Sequence, residues 1–493
     1  MRKNQPVALE RGEIDISTIK LDARSRDDIP AILKGLQLIY TQEQSREKLF
    51  ALLEKSLETK ADQSVGRPGM TLWRIFVLAT LKQGLNCDFD RLQELANQHR
   101  TLRQILGHTD WGEETQYAMQ TLVDNVSLLS PQVLAQISQL VVETGHEVVK
   151  KNPGDALHGR CDSFVVETDV HYPTDTNLLW DAMRTILRVT GQACEVYGIE
   201  GWRQYHYQSR CLKRLFRQTQ KLRYSNSDNP ARQEKKRQQV HQAYRDYLHQ
   251  AAALVDKAQT TLVALSGEGA LAEVATIEHY INHARRQIAQ IERRVLQGET
   301  IAHGEKVFSL FEPHTRWLCK GKAGVAVELG VAVCVVEDQH QFILHHRILW
   351  DESDKQVAVT MVKDTQARFG DLNQCSFDRA FHSPANRQAL DALLHHNILP
   401  KKGRLSEADK TREYSDVFVQ ARCQHAAVES CINNLEQRGL NRCRAYGKKG
   451  FERHVALAIV AYNLHRIGLI LQRQEKARLA KQARREARLR LVA

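Results

Sequence analysis

Two stretches of β-branched sequence bracket a long helical one, and that interruption constrains the fold more than any other feature of the chain. Cys161 to His171 (CDSFVVETDVH) is short and β-branched, the texture of a buried strand. The texture resumes where Val325, Val327, Leu329, Val331, Val333 and Val335 alternate with Ala326, Glu328, Gly330, Ala332 and Cys334, a strict period of two. From about Asp181 to Gly298 the sequence is helical in composition, broken mainly by SNSDNP at 225–230 and SGEG at 266–269. This order predicts a mixed α/β sheet interrupted by a helical insertion.

The remaining elements follow from local signals. Glu337-Asp338-Gln339-His340 makes a turn, and Phe342 to Leu349 supplies a return strand. A helix over Ser353 to Phe369 leads to a short strand ending at Asp378, then to a helix that Ser383 caps with Pro384 at its first position. Ile398-Leu399-Pro400 is a last short strand, and the chain is helical beyond it. The first 150 residues also read as helical. Leu72, Ile75, Phe76 and Ala79 share one face, Gly84 breaks the chain, Asp88 caps a helix through Asn97, and Leu102 and Ile105 precede Gly107. Short helices around a glycine turn suit a helix-turn-helix DNA-binding unit and equally any small helical bundle. At roughly 150 residues per domain, 493 residues predict about three units. The expected organisation is a helical N-terminal DNA-binding domain (1–150), the first part of the core (151–180), a helical basic insertion (181–300), the remainder of the core (301–470) and a basic helical tail (471–493).

A hydrophobic fraction of 42% excludes a wholly disordered chain. No apolar run approaches the roughly 18–20 residues of a membrane-spanning helix, since Arg74 and Lys82 bound Ile75 to Leu81. The start, MRKNQP, lacks the apolar stretch of a secretory signal. The ten cysteines contain no C-x-x-C pair, so a reduced, cytoplasmic setting is expected. The net charge of +12 is concentrated. Arg203 to Asp246 holds twelve Lys or Arg against three acids, and Arg473 to Arg490 holds eight against two, leaving the remainder slightly acidic. Two basic stripes, the first interleaved with Trp202, Tyr205, Tyr207, Phe216, Tyr224, Tyr244 and Tyr247, predict a nucleic-acid footprint rather than a membrane one. The terminal Arg-Ala-Leu helix fits nonspecific phosphate contact.

Three acids stand out by position: Asp162 at the start of the first strand, Asp378 at the end of a later strand, and Glu429 on the following long helix. Two Mg²⁺ ions roughly 3.5–4 Å apart need hard oxygen ligands converging from separate elements, and such a set supplies them. Arg422, His425, Glu429, Asn433 and Glu436 form one polar stripe, with Val417, Ala421, Val428, Ile432 and Leu435 as the apolar one. By spacing alone Asp169 and Asp175 compete with Asp162, and Glu436 with Glu429.

Residues 161–179 (CDSFVVETDVHYPTDTNLL), 377–390 (FDRAFHSPANRQAL), 398–404 (ILPKKGR) and 426–447 (AAVESCINNLEQRGLNRCRAYG) resemble, in order, the core segments of bacterial insertion-sequence DDE transposases, the ISNCY-like group among them. The GRPGM at 66–70 and its flanking helices resemble the DNA-binding domain ahead of that core. The resemblance implies a ribonuclease-H-like fold and metal-dependent DNA cleavage and strand transfer. It implies Asp162, Asp378 and Glu429 as ligands of two Mg²⁺ ions, with Mn²⁺ able to substitute; Asp169 stays open as the first ligand. It also implies DNA contacts at Lys401, Lys402 and Arg404. Many relatives carry an Arg three or four residues before the Glu and a Lys seven after it. His425 or Ala426 and Glu436 stand there, so Arg422, Arg438 or Arg442 are expected to make the phosphate contacts. Better-known relatives carry an insertion after the second Asp, whereas this one follows the first strand. Expected partners are double-stranded DNA, both terminal inverted repeats and target, and further copies of the chain, at the bacterial nucleoid. Two rivals are a nuclease on the same core without strand transfer and a non-enzymatic basic DNA-binding protein.

Adjacent histidines on a strand, such as His345 and His346, point to opposite faces and are unsuited to chelating one ion. Lys320-Gly321-Lys322-Ala323-Gly324 is too short for a phosphate-binding loop and reads as a basic turn.

Overall fold

The computed structural model describes residues 13–57, 69–109, 115–152, 154–222, 224, 226–319 and 327–492, with side chains to 486. Gly66 to Pro68 of the GRPGM motif, Arg223, the 320–324 turn, the start of the valine run at 325–326 and the side chains of Arg488 and Arg490 lie outside the described residues. The chain forms two compact units, Met1–Asp169 with Leu318–Ala493, and Val170–Trp317.

The first unit opens with α1 (Asp28–Thr41), α2 (Glu43–Leu57), α3 (Leu72–Gly84), α4 (Phe89–Gln98), α5 (Arg100–Ile105), α6 (Met119–Val126) and α7 (Pro131–Val148). Strand β1 (Leu157–Thr168) follows, and the chain leaves for the second unit: α8 (Asp175–Tyr197), α9 (Tyr205–Lys221), α10 (Pro230–Gly267) and α11 (Leu271–Ile291). It returns through β2 (Arg316–Leu318), β3 (Glu328–Glu337), β4 (Ile343–Leu349), α12 (Asp354–Phe369), β5 (Leu372–Phe377), α13 (Pro384–Leu393) and β6 (His396–Ile398). The last elements are α14 (Glu407–Glu413), α15 (Asp416–His425), α16 (Ala427–Leu435), β7 (Arg442–Cys443) and α17 (Gly447–Val492). Helix starts obey their local signals: Asp88 accepts from the Arg91 amide, Ser353 forms a capping box with Gln356, and Ser383 accepts from Asn386 ahead of Pro384.

The seven-stranded sheet runs β2-β3-β1-β5-β6, with β4 on β3 and β7 on β1. β3 is antiparallel to β1 and β4, while β5 is parallel to β1 and β6 to β5. The order β4-β3-β1-β5-β6 with these directions is that of a ribonuclease-H-like core, with the helical insertion leaving after its first strand. The alternation on β3 has a simple cause. Val331, Val333 and Val335 pack on one face with Phe164 and Val166 of β1 and with Val455 and Ile459 of α17. Cys334 and Val336 go to the other face with Cys161 and Cys375. The β3–β4 turn is pinned by Asp338, whose carboxylate accepts from the amides of His340 (2.9 Å) and Phe342 (2.8 Å) and meets His146 Nε2 at 2.7 Å.

Helices α1–α7 are not a body apart. Ile32, Leu36, Phe76, Leu134 and Val141 share one continuous core with Cys161, Cys334 and Cys375 of the sheet, so the expected boundary at residue 150 is absent. Nor is the basic tail separate, since α17 is unbroken from Gly447 to Val492. This helix also corrects the reading of the chain as lacking a membrane-length apolar run. By length and composition it has a window apolar enough to cross a bilayer, and 72% of that window is buried inside the fold. It crosses α1 at backbone contact: a Cβ on Gly468 would lie 1.8 Å from the Ala31 carbonyl oxygen, and one on Gly35 would lie 2.2 Å from that of Leu464.

The second unit has its own core of Leu179, Met183, Ile186, Leu248, Leu254, Ile277 and Ile281. It extends to 170–317 rather than 181–300, because α8 starts at Asp175 and because Val307 and Leu310 pack on this core. An additional break separates α8 from α9, where Gly198 (φ 68°) ends the helix in a left-handed conformation.

Candidate active site

Asp162 is the sixth residue of β1, near its middle rather than at its start. The parallel register pairs Cys161 with Phe377, so the next position on each strand sets Asp162 beside Asp378, the first residue beyond β5. Residues level with each other on parallel neighbours face the same way, here towards the side that carries Phe164 and Val166. One Asp162 oxygen accepts the Ser163 amide at 2.7 Å. Asp378 is exposed, and its carbonyl accepts from the Phe381 amide.

Glu429 lies in the first turn of α16 and is exposed. The single long helix expected here is two. α15 ends at His425, and α16 restarts after Ala426 with Val428, Cys431 and Leu435 buried against the sheet. Val417, expected on the apolar stripe, is exposed, and Phe418 is buried in its place. The break lets His425 reach the strands: its Nδ1 is 2.9 Å from the Ser376 hydroxyl, two residues before Asp378. Burial pushes the His425 ring down to about 4, against the pull of the Asp378 charge, so the ring is neutral near pH 7.

Arg160 stands two residues before Asp162 on the same face of β1. Its guanidinium donates to the Asp338 carbonyl and lies 3.1 Å from Glu337, its register partner on β3. Glu337 is 1% exposed, and burial pushes it up to about 7, with Arg160 opposing. The sequence singled out neither Ser376 nor Arg160, gave His425 only a place on the polar stripe and where relatives carry an Arg, and gave Glu337 only a place in a turn. Arg160 was findable by the period of two from Asp162, and His425 by its place four residues before Glu429.

Two of the three competing acids lie towards the other end of β1. Asp169 is seven residues further on, about 20 Å along an extended chain, where it pairs with Arg442 at 3.6 Å. Glu436 lines a cleft with Glu167, Glu328 and Arg442. Asp175 belongs to the second unit and is held bidentately by Arg294 at 2.6 and 2.8 Å. The donor set of Asp162, Asp378 and Glu429 is chemically right for Mg²⁺ or Mn²⁺, being all carboxylate oxygen. Among the described residues, however, no three His, Cys, Asp or Glu side chains are already gathered as a metal-holding group, and Glu429 is not drawn into a cage with the two aspartates.

The six expected DNA-contact residues divide. Lys402, Arg404 and Arg422 are exposed. Lys401 is tied to Asp409 at 2.5 Å; with Ser406 and Arg387 it holds that carboxyl far below the usual range. Arg442 is half exposed and pairs with Glu167 at 3.1 Å. Arg438 is out of place for a phosphate contact. It is 5% exposed and donates to the Gly84 carbonyl (2.6 Å), with His465 Nδ1 at 2.8 Å and Asp28 at 3.4 Å. It fastens the turn after α16 to α3 and α17. In the second unit, Arg210, Arg214 and Arg217 line the exposed face of α9 opposite buried Leu212, Phe216 and Thr219, with no ion pair to an acid among the described residues.

No curated protein matches the chain, and no solved structure does. Residues 308–464, which run from the return of the chain through β3, Asp378 and Glu429 into α17, match the family model of the transposase DDE domain.

Proposed function

We propose that this chain is a DDE transposase of a bacterial insertion sequence, of the ISNCY-like group, working at the nucleoid. The observation that carries the reading is the register setting Asp162 beside Asp378 on adjacent parallel strands, within a sheet whose order is ribonuclease-H-like and whose later part matches a transposase DDE domain. Asp162, Asp378 and Glu429 would hold two Mg²⁺ ions, or Mn²⁺. When bound, such a pair supplies positive charge to the attacking and leaving oxygens of phosphoryl transfer.

The protein's own groups do the rest. Arg160, fixed by Glu337 and the Asp338 carbonyl, keeps a positive charge behind the Asp pair. Neutral His425, the last residue of α15, ties the chain to β5 just ahead of the helix that carries Glu429. Lys402, Arg404 and Arg422 are exposed cations for DNA phosphates, and the stripe on α9 gives the second unit a backbone contact of its own. Hydrolysis at a transposon end leaves a 3′-hydroxyl, which then attacks a target phosphodiester. Bringing two double-stranded terminal inverted repeats together implies an oligomer on the DNA.

The test is incubation of the full chain with Mg²⁺, labelled terminal ends and a supercoiled target plasmid. Joined product is the expected result, and it is lost in Asp378→Asn and Asp162→Asn. Cleavage without joining would reduce the reading to a nuclease, and cleavage surviving Asp378→Asn at wild-type level would overturn the site.

A further inference from the structure

Two histidines stand against each other on α11, at the edge of the second unit's core. His279 and His283 are four residues apart, hence on one face of the helix, and their rings are 4.7 Å apart, centroid to centroid, at 75° to each other. His279 is exposed, whereas Nδ1 of half-buried His283 is buried and has no hydrogen-bond partner. An imidazole nitrogen is always a donor or an acceptor, and buried ones are nearly always satisfied, so the orphaned nitrogen marks a place for a ligand. Two imidazoles on one tetrahedral ion, with metal–nitrogen bonds of about 2.0–2.1 Å, have ring centres about 5 Å apart. The observed separation is already that of a chelate, and the soft terminal torsion of histidine lets both nitrogens turn towards a shared ion.

We propose that His279 and His283 form a site for a transition-metal dication of the Zn²⁺ class, independent of the carboxylates of the first unit. The donor type sets the ion. Imidazole nitrogen suits Zn²⁺, Ni²⁺ and Cu²⁺, whereas Mg²⁺ takes oxygen ligands, so the two kinds of site draw on different ions. Four residues is also the spacing at which a helix offers two histidines to one Zn²⁺. No third His, Cys, Asp or Glu is gathered with them among the described residues, so water completes the coordination. Arg286, one turn beyond His283, opposes a dication, but it is exposed and therefore screened by water and salt. On the other side of this turn Ile277, Ile281 and Ala284 are buried in the core of the unit. A bound ion thus clips α11 where it is packed, and stabilises the helical unit only while metal is present.

Isothermal titration calorimetry of the full chain with Zn²⁺ tests this, with excess Mg²⁺ present throughout to keep oxygen ligands occupied. His279→Ala and His283→Ala are each expected to remove one equivalent of Zn²⁺, or to weaken its binding at least about tenfold, since the chelate needs both rings and even the outer partners of metal ligands act on this scale. His279 is exposed, so its variant carries the test even where a change at His283 disturbs folding. Asp378→Asn is expected to keep the equivalent, which separates this site from the proposed catalytic one. Zn²⁺ binding of unchanged stoichiometry and affinity in His279→Ala overturns the site, and so does loss of the same equivalent in Asp378→Asn. Neither result touches the transposase reading, which stands or falls on cleavage and joining of DNA.

Discussion

The Ser376 hydroxyl lies 2.9 Å from Nδ1 of His425, which joins β5 to the last turn of α15 two residues before Asp378 and four before Glu429. Because burial keeps the ring neutral, it acts here as a fixed strut and not as a charge. Replacing His425 with Leu removes the strut, and DNA cleavage is expected to fall about tenfold, since misplacement of an active group by an ångström has effects of this order or larger. His425→Gln, which can still reach Ser376, is expected to stay within about threefold of wild type, on the assumption that its amide recovers most of the positioning. The measurement is the cleavage rate at saturating DNA, with thermal unfolding as the fold control. A Leu variant that cleaves at the wild-type rate would show that α16 needs no such anchor.

Arg438 separates structure from DNA contact. Its guanidinium is buried between the Gly84 carbonyl, His465 and Asp28. Removing one partner from a buried charged network leaves the others unsatisfied, so Arg438→Ala is expected to cost about 3 kcal/mol in urea unfolding. The salt dependence of DNA affinity should be unchanged. A variant of wild-type stability that loses affinity evenly over all DNA sequences would instead make Arg438 a phosphate contact.

The exposed face of α9 carries the opposite expectation. Arg210, Arg214 and Arg217 follow helical spacing on one side, with the apolar core on the other. Each phosphate neutralised contributes about 0.9 to the slope of log affinity against log salt. Changing all three to Ala should therefore lower that slope by about 2 to 3 in anisotropy titrations across potassium chloride concentrations. Stability should hardly move, because these side chains are solvated. An unaltered slope would remove the stripe from the DNA path.

What the sequence made legible was local. Asp88, Ser353, Ser383 and Pro384 announced helix starts because a cap is settled within four residues, and the valines of β3 announced a strand because the side-chain period is two. Asp378 was identifiable as a strand end for the same reason. Pairing was not legible. Nothing within residues 161–171 says that Asp162 stands level with Asp378, since that register joins positions more than two hundred residues apart. By sequence alone Asp169 is therefore a rival; in the fold it lies beyond the far end of β1, against Arg442. Arg438 failed for a related reason: a charged residue after a polar stripe reads as surface, and its burial depends on Asp28 and Gly84 of distant helices. The core stretch of α17 escaped notice because Asn463, His465 and Arg466 interrupt it, yet each has a buried or half-buried partner, Ile343, Asp28 and the His340 carbonyl respectively.

Glu337 gives the fold a pH signature. Burial holds its carboxyl up at about 7, although Arg160 is 3.1 Å away and the Tyr462 hydroxyl donates to it at 3.4 Å. An unfolded Glu titrates near 4.5. Below that value both states carry the proton, and between about 4.5 and 7 the folded state keeps a proton that the unfolded chain has released. The folded state binds more protons there, so this group's contribution to stability declines as pH rises through the window and is flat above it. Each unit of difference corresponds to about 1.4 kcal/mol, so the whole effect is a few kcal/mol at most. Glu337→Gln removes the titration. Its amide is neutral beside Arg160, as the protonated carboxyl is in this window, so any packing difference adds a contribution that does not vary across it. The diagnostic is therefore the difference in melting temperature between variant and wild type, which should move in favour of the variant from pH 5 to pH 7 and then level off. A difference that stays constant over that range would mean Glu337 is already ionised in the fold at pH 5, with Arg160 outweighing burial.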